Sequence, residues 1–172
     1  QRIKDDRIAA QLYRGRGALA FESHTHEALS HYQRATELEP GNVAGWNSLG
    51  HLQRRLGELD QAIASYRQVE ALATEPSHKA VAYGNLGIIY RTQGDLDKAE
   101  DYYRQSLAIE KELGRKQGMA SQYGNLGNIY ETRGELDKAR EFWQKSVALF
   151  QQVGMPHMVK KVQSWIDELD EV

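Results

Sequence analysis

The sequence predicts an all-α protein built as a stack of helix pairs, and three observations carry that prediction. The octets YGNLGIIY (83–90) and YGNLGNIY (123–130) differ at one position. The segments that follow them, GDLDKAEDYYRQSLAI (94–109) and GELDKAREFWQKSVAL (134–149), are near-copies as well. Apolar residues recur within each copy at helical spacing, and glycine or proline stands where each run stops. Self-similarity over a few tens of residues is the mark of a stacked repeat array.

Two more copies lie upstream. GWNSLGHLQRRL (45–56) and GELDQAIASYRQVEAL (57–72) form one unit, and HEALSHYQRATELEPGN (26–42) repeats only the second half. The alanines Ala28, Ala62, Ala99 and Ala139 set the register, at spacings of 34, 37 and 40 residues. Each increment of three is close to one helical turn, so the later units are expected to have longer helices rather than longer loops.

In the last copy Ala120, Tyr123, Leu126-Gly127 and Tyr130 make one stripe, which Gly134 ends as a left-handed cap. Leu136, Ala139, Trp143, Ser146 and Leu149 make the next, with Asp137 in the first turn, where an anion suits the helix dipole. Pro40-Gly41, Glu75-Pro76 and Gly154-Met155-Pro156 mark further helix boundaries. MVKKVQSWIDEL (158–169) is an amphipathic helix with no sequence partner, which a stacked array needs as a cap over its last apolar face. The expected architecture is therefore a solenoid of four helix hairpins and a capping helix. Its units span about 9–42, 43–76, 80–116 and 120–154, with the cap at 156–170.

Composition excludes several functions. With 22 basic against 24 acidic residues and a net charge of −2, nothing draws the whole chain to nucleic acid or an anionic membrane. Its few basic pairs, such as Arg54-Arg55 and Lys160-Lys161, are dispersed. Without cysteine there is no disulfide, thiolate metal site or cysteine nucleophile. No apolar run is long enough to cross a bilayer and no signal peptide is visible in this stretch; the compartment stays open, with the cytoplasm as the default expectation. A start at Gln1 reads as a processed or excised piece.

The combination W-x-x-L-G, then Y, G, A and Y, resembles the tetratricopeptide repeat. Trp46, Leu49, Gly50, Gly57, Ala62 and Tyr66 carry it in the second unit. Tyr83, Leu86, Gly87, Tyr90, Gly94, Ala99 and Tyr103 carry it in the third. The fourth has Tyr123, Leu126, Gly127, Tyr130, Gly134, Ala139 and Trp143. The first keeps Ala28, Tyr32, Ala35 and Pro40, and Gly17 serves as its packing glycine only if one residue is missing before Ala28. The long spacing is similar to that of kinesin light chains and the leucine-glycine-asparagine polarity scaffolds. The resemblance implies a right-handed superhelix whose first helices line a concave, peptide-binding groove.

Carried onto this sequence, the groove positions are Asn47, His51, Arg54 and Arg55 in the second unit, with Ala44 and Ser48 beside them. They are Asn85, Ile88 and Arg91 in the third, with Val81, Gly84 and Thr92, and Asn125, Asn128 and Glu131 in the fourth, with Ser121, Gly124 and Thr132. Asparagine suits an extended peptide because its amide both donates and accepts. Gly84 and Gly124 are expected to leave room for the ligand backbone, and the arginines to grip a carboxylate through their planar fork. The lysines that clamp a C-terminal carboxylate in some family members are absent, so an internal, extended, acidic segment is the expected ligand.

Chemistry elsewhere is sparse. The G-x-x-G of the octets sits inside a helical pattern with no charge around it, so it is read as packing rather than a phosphate cradle. His24 and His26 fall in a turn, with His31 expected to point away, and no metal or other cofactor is expected. No carboxylate pair or nucleophile with its base stands out, so no enzyme is expected. Met155, Met158, Val159, Val162, Trp165 and Ile166 are either the buried face of the cap or a surface for self-association. The expected function is a non-enzymatic module that binds a peptide or partner protein, with self-association through the terminal helices as the alternative.

Overall fold

The computed structural model describes residues 2–20 and 25–170, with side chains over 6–18 and 25–169. Among these residues there are nine helices and no strand. They are α1 Arg2–Ala20, α2 Thr25–Leu38, α3 Val43–Arg55, α4 Leu59–Leu72, α5 Pro76–Thr92, α6 Leu96–Glu112, α7 Lys116–Thr132, α8 Leu136–Gln152 and α9 Pro156–Asp170. The growing repeat comes from the helices: α3 and α4 have 13 and 14 residues, whereas α5 to α8 have 17 each. The chain divides into two compact units, Gln1–Asn85 and Leu86–Val172, the boundary falling within α5.

Five turns are built alike. In the turn after α7, Gly134 has φ 75°, its N–H donates to the Glu131 carbonyl at 2.9 Å, and the Glu135 N–H reaches the Tyr130 carbonyl at 2.8 Å. That pair of bonds satisfies carbonyls a helix end would otherwise strand, and the left-handed backbone favours glycine. Gly57, Gly94, Gly114 and Gly154 repeat it with φ between 65° and 81°. Pro76 and Pro156 each open a helix, where a missing N–H costs nothing.

In the first unit α1 packs on α2, α2 on α3 and α3 on α4. Ala28, Tyr32, Leu49 and Leu52 form a buried cluster, with Leu29, Trp46 and Leu56 against it. Gly17 lies against the Tyr32 ring, where an added Cβ would come within 3.0 Å, and Gly50 stands similarly at 3.1 Å from Tyr66. Gly17 is thus the packing glycine of the first pair, one residue nearer its aromatic partner than Gly50 is. His26 lies in the first turn of α2, while His24 lies outside the described residues.

The second unit packs α6 on α7, α7 on α8 and α8 on α9. An added Cβ at Gly87 would meet Tyr103 at 2.5 Å, and one at Gly127 would meet Trp143 at 2.3 Å. The second glycine of each octet therefore admits an aromatic ring to the helix backbone, which answers that half of the G-x-x-G pattern in packing terms. Leu136 departs from expectation: it heads α8 yet is 45% exposed. Val147 and Phe150 join Ala139, Trp143 and Ser146 in the buried stripe instead.

Charge also reaches the interior. Glu100 of α6 accepts from the Tyr130 hydroxyl at 2.7 Å, from Arg104 Nε at 2.8 Å and from Arg133. Burial alone would raise its pKa, but the bonds from Arg133, Tyr130 and Arg104 prevail and hold it at about 2. Glu110, 3% exposed, lies against the bare backbone of Gly118, and burial raises its pKa against the opposing charge of Arg115.

Candidate functional site

The first-helix stripes occur in both units. In the first, Asn47 is half-buried, and its Oδ1 is fully shielded yet accepts no hydrogen bond. His51 is half-buried and its pKa is lowered, first by burial and then by the charges of Arg54 and Arg55, so it is neutral at pH 7. Arg54 stands beside the Tyr66 hydroxyl, whose pKa burial pushes up to about 12 while the Arg54 charge opposes the shift. Arg55 is exposed. Asn85, at the end of this unit, donates to the Val81 carbonyl of its own helix at 3.0 Å, leaving its amide oxygen available.

In the second unit three of the expected residues come together. Arg91 of α5, Asn128 and Glu131 of α7, Trp143 of α8, and Trp165, Glu168 and Leu169 of α9 line one pocket of about 460 Å³. Asn128 is fixed there because its Oδ1 accepts from Trp143 Nε1 at 2.9 Å, leaving its NH₂ group to face other acceptors. Ile88 is half-buried, and Asn125 donates to Gln122 Oε1 at 3.3 Å; neither lines the pocket. The hydroxyls of Thr92 and Thr132 bond back to the Ile88 and Asn128 carbonyls, so they are occupied within their own helices.

The room expected at Gly124 is taken by the protein itself. Gly124 is buried, and a Cβ there would meet Ser146 Oγ at 3.3 Å and the Trp165 ring at 3.9 Å. Its carbonyl also accepts from Trp143 Nε1 at 3.3 Å. Gly84 is buried too. Gly124 thus serves helix packing, which corrects the expectation of space for a ligand backbone at that position.

Sequence spacing missed the α9 contribution. Trp165, Glu168 and Leu169 follow an i, i+3, i+4 pattern, beside the buried Val162 and Ile166. That pattern places them on one edge of the capping helix, but nothing in it shows which groove the edge closes. At the other side of α9, Met155, Pro156 and Val159 line a second, more apolar pocket of about 520 Å³. No cluster of three or more metal-binding side chains occurs among the described residues, and none of their helices is long and apolar enough to cross a membrane.

Models of the tetratricopeptide-repeat family match residues 43–112 and 119–153. No curated protein matches the chain in sequence. Among solved structures, the chain is similar to MamA, at 21% identity and a TM-score of 0.68, over 91% of this chain and 88% of that one. It is also similar to PilW, a type IV pilus biogenesis factor, at 18% identity and a TM-score of 0.69, over 96% and 80% of the two chains. BtubC from P. vanneervenii matches at 18% identity and a TM-score of 0.67, over 99% and 90%. At these identities the likeness is one of fold.

Proposed function

The chain belongs to the tetratricopeptide-repeat superfamily, whose arrays are typically non-enzymatic modules for protein–protein interaction, and on that premise we propose that it binds an extended segment of a partner protein along its first-helix faces. The observation that carries this reading is the pocket in which Arg91, Asn128 and Glu131 meet the edge of α9. Arg91, Glu131 and Glu168 make no ion pair with any described residue, although they share one lining. Unpaired charges gathered in a concavity are available to a ligand. The remaining contacts are Asn47, His51, Arg54, Arg55 and Asn85 in the first unit, with Ile88 and Asn125 in the second. In the first unit the stripe is cationic, which favours an acidic stretch of the partner there.

Replacing Asn85, Asn125 and Arg91 together with alanine tests the reading. Asn85 and Asn125 bond only within their own helices and Arg91 is exposed, so the thermal midpoint should scarcely move. A partner recovered by pulldown with the native chain should be lost from the triple variant; undiminished capture would refute the assignment. The pocket at Met155, Pro156 and Val159 favours a second reading, self-association through α9. A mass that rises with concentration in light scattering marks it.

A further inference from the structure

We infer that the pocket closed by α9 receives a lysine or arginine side chain of the bound segment. This rests on the groove reading above and reverses, for this one pocket, the acidic ligand that the sequence suggests. The lining holds two carboxylates, Glu131 and Glu168, against one guanidinium, Arg91. Several acids elsewhere in the second unit are held by the protein's own cations: Arg133 and Arg104 hold Glu100, Lys98 holds Asp95, and Lys145 holds Glu141. Glu131 and Glu168 have no such partner among the described residues. They come from different helices, α7 and α9, so a cation between them would gain from both.

The aromatic part of the lining suits the same occupant. Trp165 is half-buried and packs against Trp143 with ring centroids 5.7 Å apart. Lys161 Nζ already stands 5.7 Å from the centroid of the Trp165 ring, so that indole holds a cation in the protein as it is. Lys161 is not part of the pocket lining. Leu169 and the indole carbons can take the methylenes of a long basic side chain while its charged end reaches the carboxylates. An acidic side chain in the same place would meet two like charges. Arg91 and the free NH₂ of Asn128 supply donors for the carbonyls of the incoming backbone.

A display library of random linear peptides, panned on the native chain, tests this. Peptides carrying lysine or arginine should be enriched, and the selected peptides should lose about tenfold in affinity to a variant with Glu131→Lys and Glu168→Lys, at the strength of two exposed ion pairs. The same variant, panned afresh, should select aspartate or glutamate instead. Both glutamates are exposed, so an unchanged thermal midpoint will confirm that the variant is folded. Titrating a selected peptide should shift the indole N–H resonance of Trp165 and leave that of Trp46, which is bonded to the Pro40 carbonyl, in place. Enrichment without basic residues, or affinity indifferent to the double substitution, would overturn the basic-side-chain assignment and leave the groove reading standing. Failure of the native chain to enrich any peptide would overturn both.

Discussion

Two glycine-to-alanine changes in this chain should have opposite signs. Gly15 lies on an exposed stretch of α1, and a Cβ added there meets nothing within 4 Å. Gly15→Ala should therefore show the intrinsic helical advantage of alanine, about 0.5–1 kcal/mol. Gly127 is buried in α7, and the same added atom would stand 2.3 Å from Trp143 Cδ1 and 3.0 Å from Cγ. Cγ is the root of the indole, so the ring cannot turn away about a distant bond. Trp143 is 3% exposed and anchored through its N–H to Asn128, which leaves it no direction in which to retreat. Overpacking of this kind costs about 1–3 kcal/mol and part of a hydrogen bond is at risk, so the propensity gain is outweighed. Gly127→Ala should lose about 1–2 kcal/mol net, or about 2–8 °C in midpoint. Thermal unfolding followed by circular dichroism measures both. A Gly127→Ala chain as stable as the native one would refute the account of G-x-x-G as a seat for an aromatic ring.

Two further expectations concern one buried acid and one half-buried acid. Because burial raises the pKa of Glu110 above its ordinary 4.5, the folded state binds the proton more tightly than the unfolded one. Its contribution is then fully present below pH 4.5 and is lost as pH rises through the raised value. Glu110→Gln should stabilise the chain by about 1 kcal/mol at neutral pH and by nothing in acid, as denaturant unfolding at several pH values would reveal. Glu100 behaves in the opposite sense. With its pKa at about 2, its stabilisation is complete above pH 4.5 and disappears as pH falls towards 2. Glu100→Gln should cost about 2–3 kcal/mol at pH 7 and nearly nothing at the acid limit, by the same measurement. A difference from native that does not change with pH would contradict the assignment in either case.

The repeat pattern carried the parts of this protein that depend on near neighbours in the chain. Helix pairs, the glycine that ends α3, α5 and α7, the proline that opens α5 or α9, and the small residue opposite each aromatic all follow from local backbone geometry and helical spacing. The stripe of polar first-helix residues was equally visible, and Arg91, Asn128 and Glu131 do share a pocket. Tertiary packing decided what periodicity has no means to express. Gly124 and Asn128 occupy the expected helix face, yet Trp143, Ser146 and Trp165 fill the space beside them. Glu100 gathers Tyr130 and Arg133 from 30 and 33 residues away, and Glu110 is buried by the approach of Gly118. Helical spacing fixes the direction in which a side chain leaves its own axis. Which group meets it depends on the angle and separation at which the next helix arrives, and only the folded chain sets those.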